Sequence, residues 1–199
     1  RLPVLVLAAL HDLVLRRPDL PLAAWYPSVT GAEPSSDDPT EALREAVLQH
    51  RDELLDVIRT RRIQTNEVNR SCAWRLGLAH ATESDRRPLA LVELGASAGL
   101  NLLLDRFAYR FEGDPHVEVG DLESPVRLGT MSATTISGAG ATRWRTRLEA
   151  PLPPVVARVG IDRRPVDPTD PDDARWLAAC TWPEQRIRYE RMSAAVDLA

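Results

Sequence analysis

Pro88-Leu-Ala-Leu-Val-Glu-Leu-Gly-Ala-Ser-Ala-Gly-Leu-Asn101 is the stretch on which the reading of this chain turns. Leu89 to Leu94 is a short apolar run with one acid, Glu93, near its end. Five small residues follow, Gly95, Ala96, Ser97, Ala98 and Gly99, and Leu100 to Asp105 reads as the first turns of a helix. Strand, tight turn and helix together open a βαβ unit. Glycine lets the backbone turn sharply and approach a ligand closely. The first amides of a helix point at such a turn and carry partial positive charge.

Three chemistries compete for this stretch. G-x-S-x-G fits the nucleophile elbow of a serine hydrolase, with Ser97 as nucleophile. An elbow needs strands before it, and only helical patterns precede this one. The histidine that follows Ser97, His116, stands too close in sequence for the usual late histidine. The stretch is near G-x-G-x-x-G, but Ser97 stands where the second glycine should be. It is no Walker loop, because the G-K-[ST] ending is absent and the chain has no lysine. Glu93 separates the readings. E-x-G-x-x-x-G resembles motif I of class I S-adenosylmethionine-dependent methyltransferases. That resemblance implies a Rossmann-like parallel sheet and S-adenosylmethionine as cofactor. Glu93, Gly95, Ala96, Ser97, Gly99 and Asn101 would then lie at its methionine end.

Around that core, Val155-Val-Ala-Arg-Val-Gly-Ile-Asp162 is a second apolar strand ending in an acid. An acid at this place in Rossmann-like sites bonds the ribose hydroxyls, so Asp162 is a cofactor candidate. The usual gap from the first glycine is about 20 residues, whereas 67 separate Gly95 from Asp162. The excess is read as an insertion over about 107–154. The strands Leu89–Leu94 and Val155–Ile161 should be parallel neighbours. Between them the helix from Gly99 is expected to run to Phe111, and Gly113-Asp114-Pro115 to turn the chain. Short strands are expected over Val117–Val119 and Val126–Leu128, and a long loop over Gly129–Thr142. Asp170-Pro-Asp-Asp173 starts a helix through Cys180, and Trp182-Pro-Glu another.

Residues 1–86 read as an all-helical N-terminal part, and 87–199 as the N-terminal half of a Rossmann-like domain. Leu2 to Leu15 is expected to be a helix buried on most sides and closed near Pro18, and Trp25 and Tyr26 are core candidates. Ser28 to Asp37 is a loop. Asp38-Pro-Thr-Glu41 starts a helix that should run to about Thr60. A further helix begins near Thr65, read as its N-cap with Glu67 in the first turn. It carries Val68, Cys72, Leu76 and Ala79 on one face. Capping leaves Gln64, Asn66, Asn69 and Arg70 unexplained. A helix running back along the strand would bring this segment over the Gly95–Gly99 turn, so Gln64, Asn66 and Arg70 are expected to help close the cofactor site.

Composition narrows the function classes. A net charge of −4 provides no global basic field for nucleic acid. All 25 basic residues are arginine, which excludes Schiff-base and lysine general-base chemistry. Cys72 and Cys180 stand alone, as expected in a reducing cytoplasm. The 4 histidines show no metal-ligand spacing. Leu2 to Leu10 is too short to span a bilayer and lacks a cleavage pattern. The expected partner is a small-molecule cofactor, with no nucleic acid and no membrane.

Four stretches carry a wider resemblance: AAWYPS at 23–28, QTNEVNR at 64–70, VELGASAGLNLLLDRFAYRF at 92–111 and RVGIDRRPVDPTDPDDARWLAACTWPEQ at 158–185. They resemble the prokaryotic Domain of Unknown Function 2332 family over most of the chain. The family brings no established activity. Its α/β part is similar to class I methyltransferases at the level of fold. Members continue into further strands, so the resemblance implies a parallel sheet that is incomplete in this chain. The function expected is an S-adenosylmethionine-dependent methyltransferase or a close relative. The alternatives are a non-catalytic Rossmann-like ligand-binding or scaffold protein, and a serine hydrolase using Ser97.

Overall fold

The computed structural model describes residues 2–113, 115–129 and 141–199. The turn expected at Asp114 and most of the loop expected over 129–142 lie outside the described residues. The elements in chain order are α1 (Leu2–Arg16), α2 (Pro27–Thr30), α3 (Thr40–Gln49), α4 (Arg51–Thr60), α5 (Ser71–Ala81), β1 (Leu89–Leu94), β2 (Ala108–Phe111), β3 (Val117–Gly120), β4 (Arg127–Gly129), α6 (Ala141–Glu149), β5 (Val155–Ile161), α7 (Pro171–Ala179) and α8 (Arg186–Leu198). Three 3₁₀ helices join them, at Pro21–Trp25, Val68–Arg70 and Leu100–Arg106. The result is mixed α/β with a helical N-terminus and a small parallel sheet.

Two compact units share the chain. One holds Arg1–Thr65 and Asp167–Glu190, the other Asn66–Val166 and Arg191–Ala199. They cut the chain elsewhere than at residues 86 and 87. The helical unit is built on α1. Its second half, Ala8 to Val14, is buried. Its first half is not: Leu2, Val4 and Leu7 are exposed, so the helix is less enclosed than its composition suggests. Leu10, Leu13 and Val14 pack with Leu22, Ala23, Ala46 and Leu54, and Trp25 and Tyr26 lie against that cluster. Buried Asp12 takes Arg16 Nε at 3.0 Å and Arg175 Nε of α7 at 2.9 Å. A buried carboxylate needs such partners. Asp170 caps α7 by accepting from the Asp172 and Asp173 amides, as its sequence pattern requires.

Two helical expectations change here. The single helix from Asp38 to Thr60 is two, broken at His50, whose φ of −114° leaves the helical range. The bonds His50 N→Ala46 O and Leu54 N→His50 O run on through the break, so the apolar spacing survives it. Asp38 still starts α3, its carboxylate accepting from the Thr40 amide at 3.0 Å. Within the loop expected after Ser28, Pro27–Thr30 makes one helical turn closed by Gly31 at φ 68°.

The second unit holds both sheets. β1 and β5 pair in parallel, from Ala90 opposite Ala157 to Leu94 opposite Ile161. Leu91 packs with Leu102 and Leu104, against Trp74 and Leu78 of α5. The opposite face carries Val92, Leu94, Val159 and Ile161, all exposed. Parallel sheets are normally covered on both faces. The helix expected to run through Phe111 is instead a 3₁₀ helix ending at Arg106, and the chain then enters β2. β2 lies between β3, antiparallel, and β4, parallel. Phe107, Tyr109 and Phe111 are buried at every second position, and period two makes a strand. Gly120 ends β3 at φ +91°, where a side chain would press on the Phe107 carbonyl. α6 follows, unforeseen in the sequence.

Candidate functional site

The site grows from the C-terminal end of β1. Gly95 and Gly99 both have positive φ, 75° and 69°, which glycine adopts without strain. Ser97 between them has φ 53° and pays a conformational cost that glycine would not. β5 holds the turn from beside: the Gly95 amide donates to Ile161 O at 2.7 Å and the Ala96 amide to the same oxygen at 3.3 Å. The Ser97 amide donates to Asp162 Oδ2 at 3.0 Å, and Ser97 O accepts from Val166 N at 3.1 Å. The Gly95, Ala96 and Ser97 amides are therefore engaged within the protein and not held free for a ligand, as their position after a strand suggested. The open part is the Gly95 backbone: a methyl group there would meet no heavy atom within 4 Å. Gly160 on β5 is needed for a different reason. A Cβ there would come 3.0 Å from that of Ala96 and push the turn away.

A chain of side-chain bonds ties the turn to α5. The Ser71 hydroxyl donates to Asn101 Oδ1 at 2.9 Å, and Asn101 Nδ2 donates to Glu93 Oε1 at 3.3 Å. Ser71, Glu93 and Asn101 are all buried. Glu93 Oε2 is buried too, and among the described residues it has no hydrogen-bond partner. Burial pushes the Glu93 carboxyl above its ordinary range; the Asn101 amide and the charge of Arg70 pull it back in part. The N-terminus of α5 thus lies at the C-terminal end of β1. A helix of 11 residues is about 16 Å long, close to the roughly 20 Å of a six-residue strand.

The polar run before α5 is sorted differently from its sequence reading. Thr65 is exposed and lies ahead of the first helical turn. Glu67 does the capping, accepting from the Asn69 amide at 3.2 Å. Asn69 holds the Gly129 peptide from both sides, Nδ2 donating to Gly129 O at 3.0 Å and Oδ1 accepting from Gly129 N at 3.2 Å. Arg70 lies near enough for its charge to act on Glu93. Asn66 is buried, and its Nδ2 has no partner among the described residues. Gln64 counts with the other compact unit, where its amide donates to Cys180 Sγ at 3.5 Å.

Asp162 ends β5 as foreseen. Its Oδ2 accepts from Ser97 N and its Oδ1 from Arg164 N at 2.9 Å. These backbone bonds hold its carboxyl below the ordinary range. The histidines of this unit are engaged away from the turn: His80 lies 5.9 Å from the Trp144 ring, and His116 Nε2 3.8 Å from Glu118.

Comparison with known proteins identifies a family. The family described as uncharacterized proteins conserved in bacteria, DUF2332, matches residues 1–199. The chain belongs to the DUF2332 family. No curated protein and no solved structure matches it. Among the described residues of this DUF2332 protein, no group of three His, Cys, Asp or Glu is placed to hold a metal ion. No described helix is long and apolar enough to cross a membrane. Cys72 and Cys180 are unbridged, and burial pushes both thiols up to about 11, which keeps them protonated and unreactive. Ser71 is the site residue that sequence reasoning missed; no spacing rule marks a serine at the first position of a helix as a partner of a distant asparagine.

Proposed function

We propose that the corner formed by β1, its turn and β5 binds S-adenosylmethionine, and that this DUF2332 protein is an S-adenosylmethionine-dependent methyltransferase or a methyltransferase-like relative. The observation that carries the reading is Glu93 Oε2, a buried acceptor without a donor at the end of the first strand. Leaving such a group unsatisfied costs about 1–3 kcal/mol. The ammonium of an amino-acid moiety supplies the missing donor. The bare backbone at Gly95 gives the ligand room beside it. Asp162 accepts from the backbone amides of Arg164, Ser97 and Arg163, and a carboxylate offers about four acceptor sites, so it retains an acceptor for a ribose hydroxyl. Asn66 Nδ2 is a second buried group without a partner, a donor suited to a carboxylate.

Bound there, the cofactor would supply an electrophilic methyl group, and the protein's part would be positioning. Isothermal titration with S-adenosylmethionine and S-adenosylhomocysteine tests the reading. Glu93→Gln is expected to weaken binding by roughly 1–3 kcal/mol, since it removes the charged acceptor. Gly95→Val is expected to abolish binding, because its side chain enters the ligand's space and strains a positive φ. Undiminished affinity in both variants would place the site elsewhere. Binding without methyl transfer to any acceptor would favour the non-catalytic ligand-binding alternative.

A further inference from the structure

Arg75 is a charged residue only 3% exposed, and its guanidinium is only partly bonded. It stands in the middle of α5. Its Nη2 donates to Leu148 O at 2.8 Å and to Ala150 O at 3.2 Å, which closes the C-terminus of α6. Its Nη1 is buried and has no hydrogen-bond partner among the described residues. No described carboxylate forms an ion pair with Arg75. Buried charges are normally paired, because an unpaired one is costly. Capping of α6 accounts for Nη2 and leaves Nη1 unexplained.

Arg75 lines a cavity of about 380 Å³ together with Leu104, Asp105, Asp121, Leu152 and Val155. All of them belong to the unit that holds the sheets. The cavity lies at the start of β5, whereas the Gly95 turn is held by Ile161 at the other end of that strand. A strand of 7 residues separates the two by roughly 20 Å. A second buried group without a partner stands in the cavity wall. Asp105 Oδ2 accepts from Arg158 Nη2 at 2.6 Å, but Oδ1 has no donor among the described residues. The cavity therefore presents a cationic donor that lacks an acceptor and a carboxylate oxygen that lacks a donor. Exposed Asp121 adds a second carboxylate, so a simple anion meets repulsion there, and a simple cation meets Arg75. A zwitterion answers both groups at once.

We propose that this cavity binds a small apolar α-amino acid. Its carboxylate pairs with Arg75 Nη1, its ammonium with Asp105 Oδ1, and its side chain lies against Leu104, Leu152 and Val155. Both polar contacts join charged partners, the stronger kind of hydrogen bond. The site uses neither Glu93 nor Asp162, so it stands or falls apart from the cofactor reading.

The test is a ¹⁵N–¹H correlation titration of the intact protein with L-leucine, L-valine and L-phenylalanine. At least one of them is expected to bind with a Kd of about 1 mM or tighter. The shifted amides should centre on Asp105, Asp121 and Leu152. Leucine methyl ester lacks the carboxylate and N-acetyl-leucine lacks the ammonium, so each should bind about 10-fold or more weakly than leucine. Arg75→Met should lose the shifts. Absence of saturable shifts with all three amino acids, or shifts centred on Gly95 to Gly99, overturns the proposal. Undiminished binding of either derivative overturns it too, and that comparison decides the matter even if Arg75→Met fails to fold.

Discussion

Glu93 stands where a strand-end acid is both costly and useful. Its raised carboxyl means that the folded protein holds this proton to higher pH than the unfolded chain does. Below the ordinary value of 4.5 both states are protonated and Glu93 costs nothing. As pH rises through the folded value, the folded state must give up a proton it prefers to keep, and stability falls. Glu93→Gln carries no charge at any pH and still offers an oxygen to Asn101. It should therefore melt at a higher temperature than wild type at pH 7, an advantage that fades as pH drops below the carboxylate range. Equal melting curves across a pH series in scanning calorimetry would show that Glu93 is not strained by burial. The residues of this corner were legible where the backbone dictates the residue type. Gly95 and Gly99 had to be small because both have positive φ. The role of Ser71 and the need for Gly160 come from contacts with residues far along the chain. Thr65 was misplaced as the cap because a capping pattern fits a helix that begins one turn too early.

β1 has two unlike faces, and substitution should separate them. Leu91 is buried against Leu102 and Leu104, so Leu91→Ala is expected to cost about 2–5 kcal/mol in urea denaturation. Leu94 is 78% exposed, so Leu94→Ala should stay within about 0.5 kcal/mol. Similar losses at both positions would mean that the outer face is covered. Gly120→Ala should cost about 1–3 kcal/mol, through its positive φ and the crowding of the Phe107 carbonyl. The strands β1 and β5 were readable to the residue, because a short apolar run before a small-residue turn admits few other structures. β2 was also readable, in the buried alternation of Phe107, Tyr109 and Phe111, but the helical start at Leu100 drew the reading past it. The break at His50 was not readable: hydrogen bonding runs on through it, and only one residue leaves the helical range.

The two compact units interleave along the chain, which is why a boundary placed in the polar segment Ala81–Arg87 misses them. α5 belongs with the sheet because Trp74 and Leu78 pack against the Leu91 cluster. α7 returns to the helical unit because Trp176 and Ala179 pack with Ala8 of α1. Both partnerships join residues distant in sequence, and local patterning does not report them. At this scale the unit that holds the sheets carries the unusual chemistry, a buried, unsatisfied carboxylate beside an open glycine. The most direct measurement is a ¹⁵N–¹H correlation titration with S-adenosylhomocysteine, following each backbone amide. The expected result is saturable shifts centred on Gly95, Gly99 and Asn101 and extending to Ser71. Unmoved peaks at those four residues, or shifts confined to Arg1–Thr65 and Asp167–Glu190, would contradict the cofactor site.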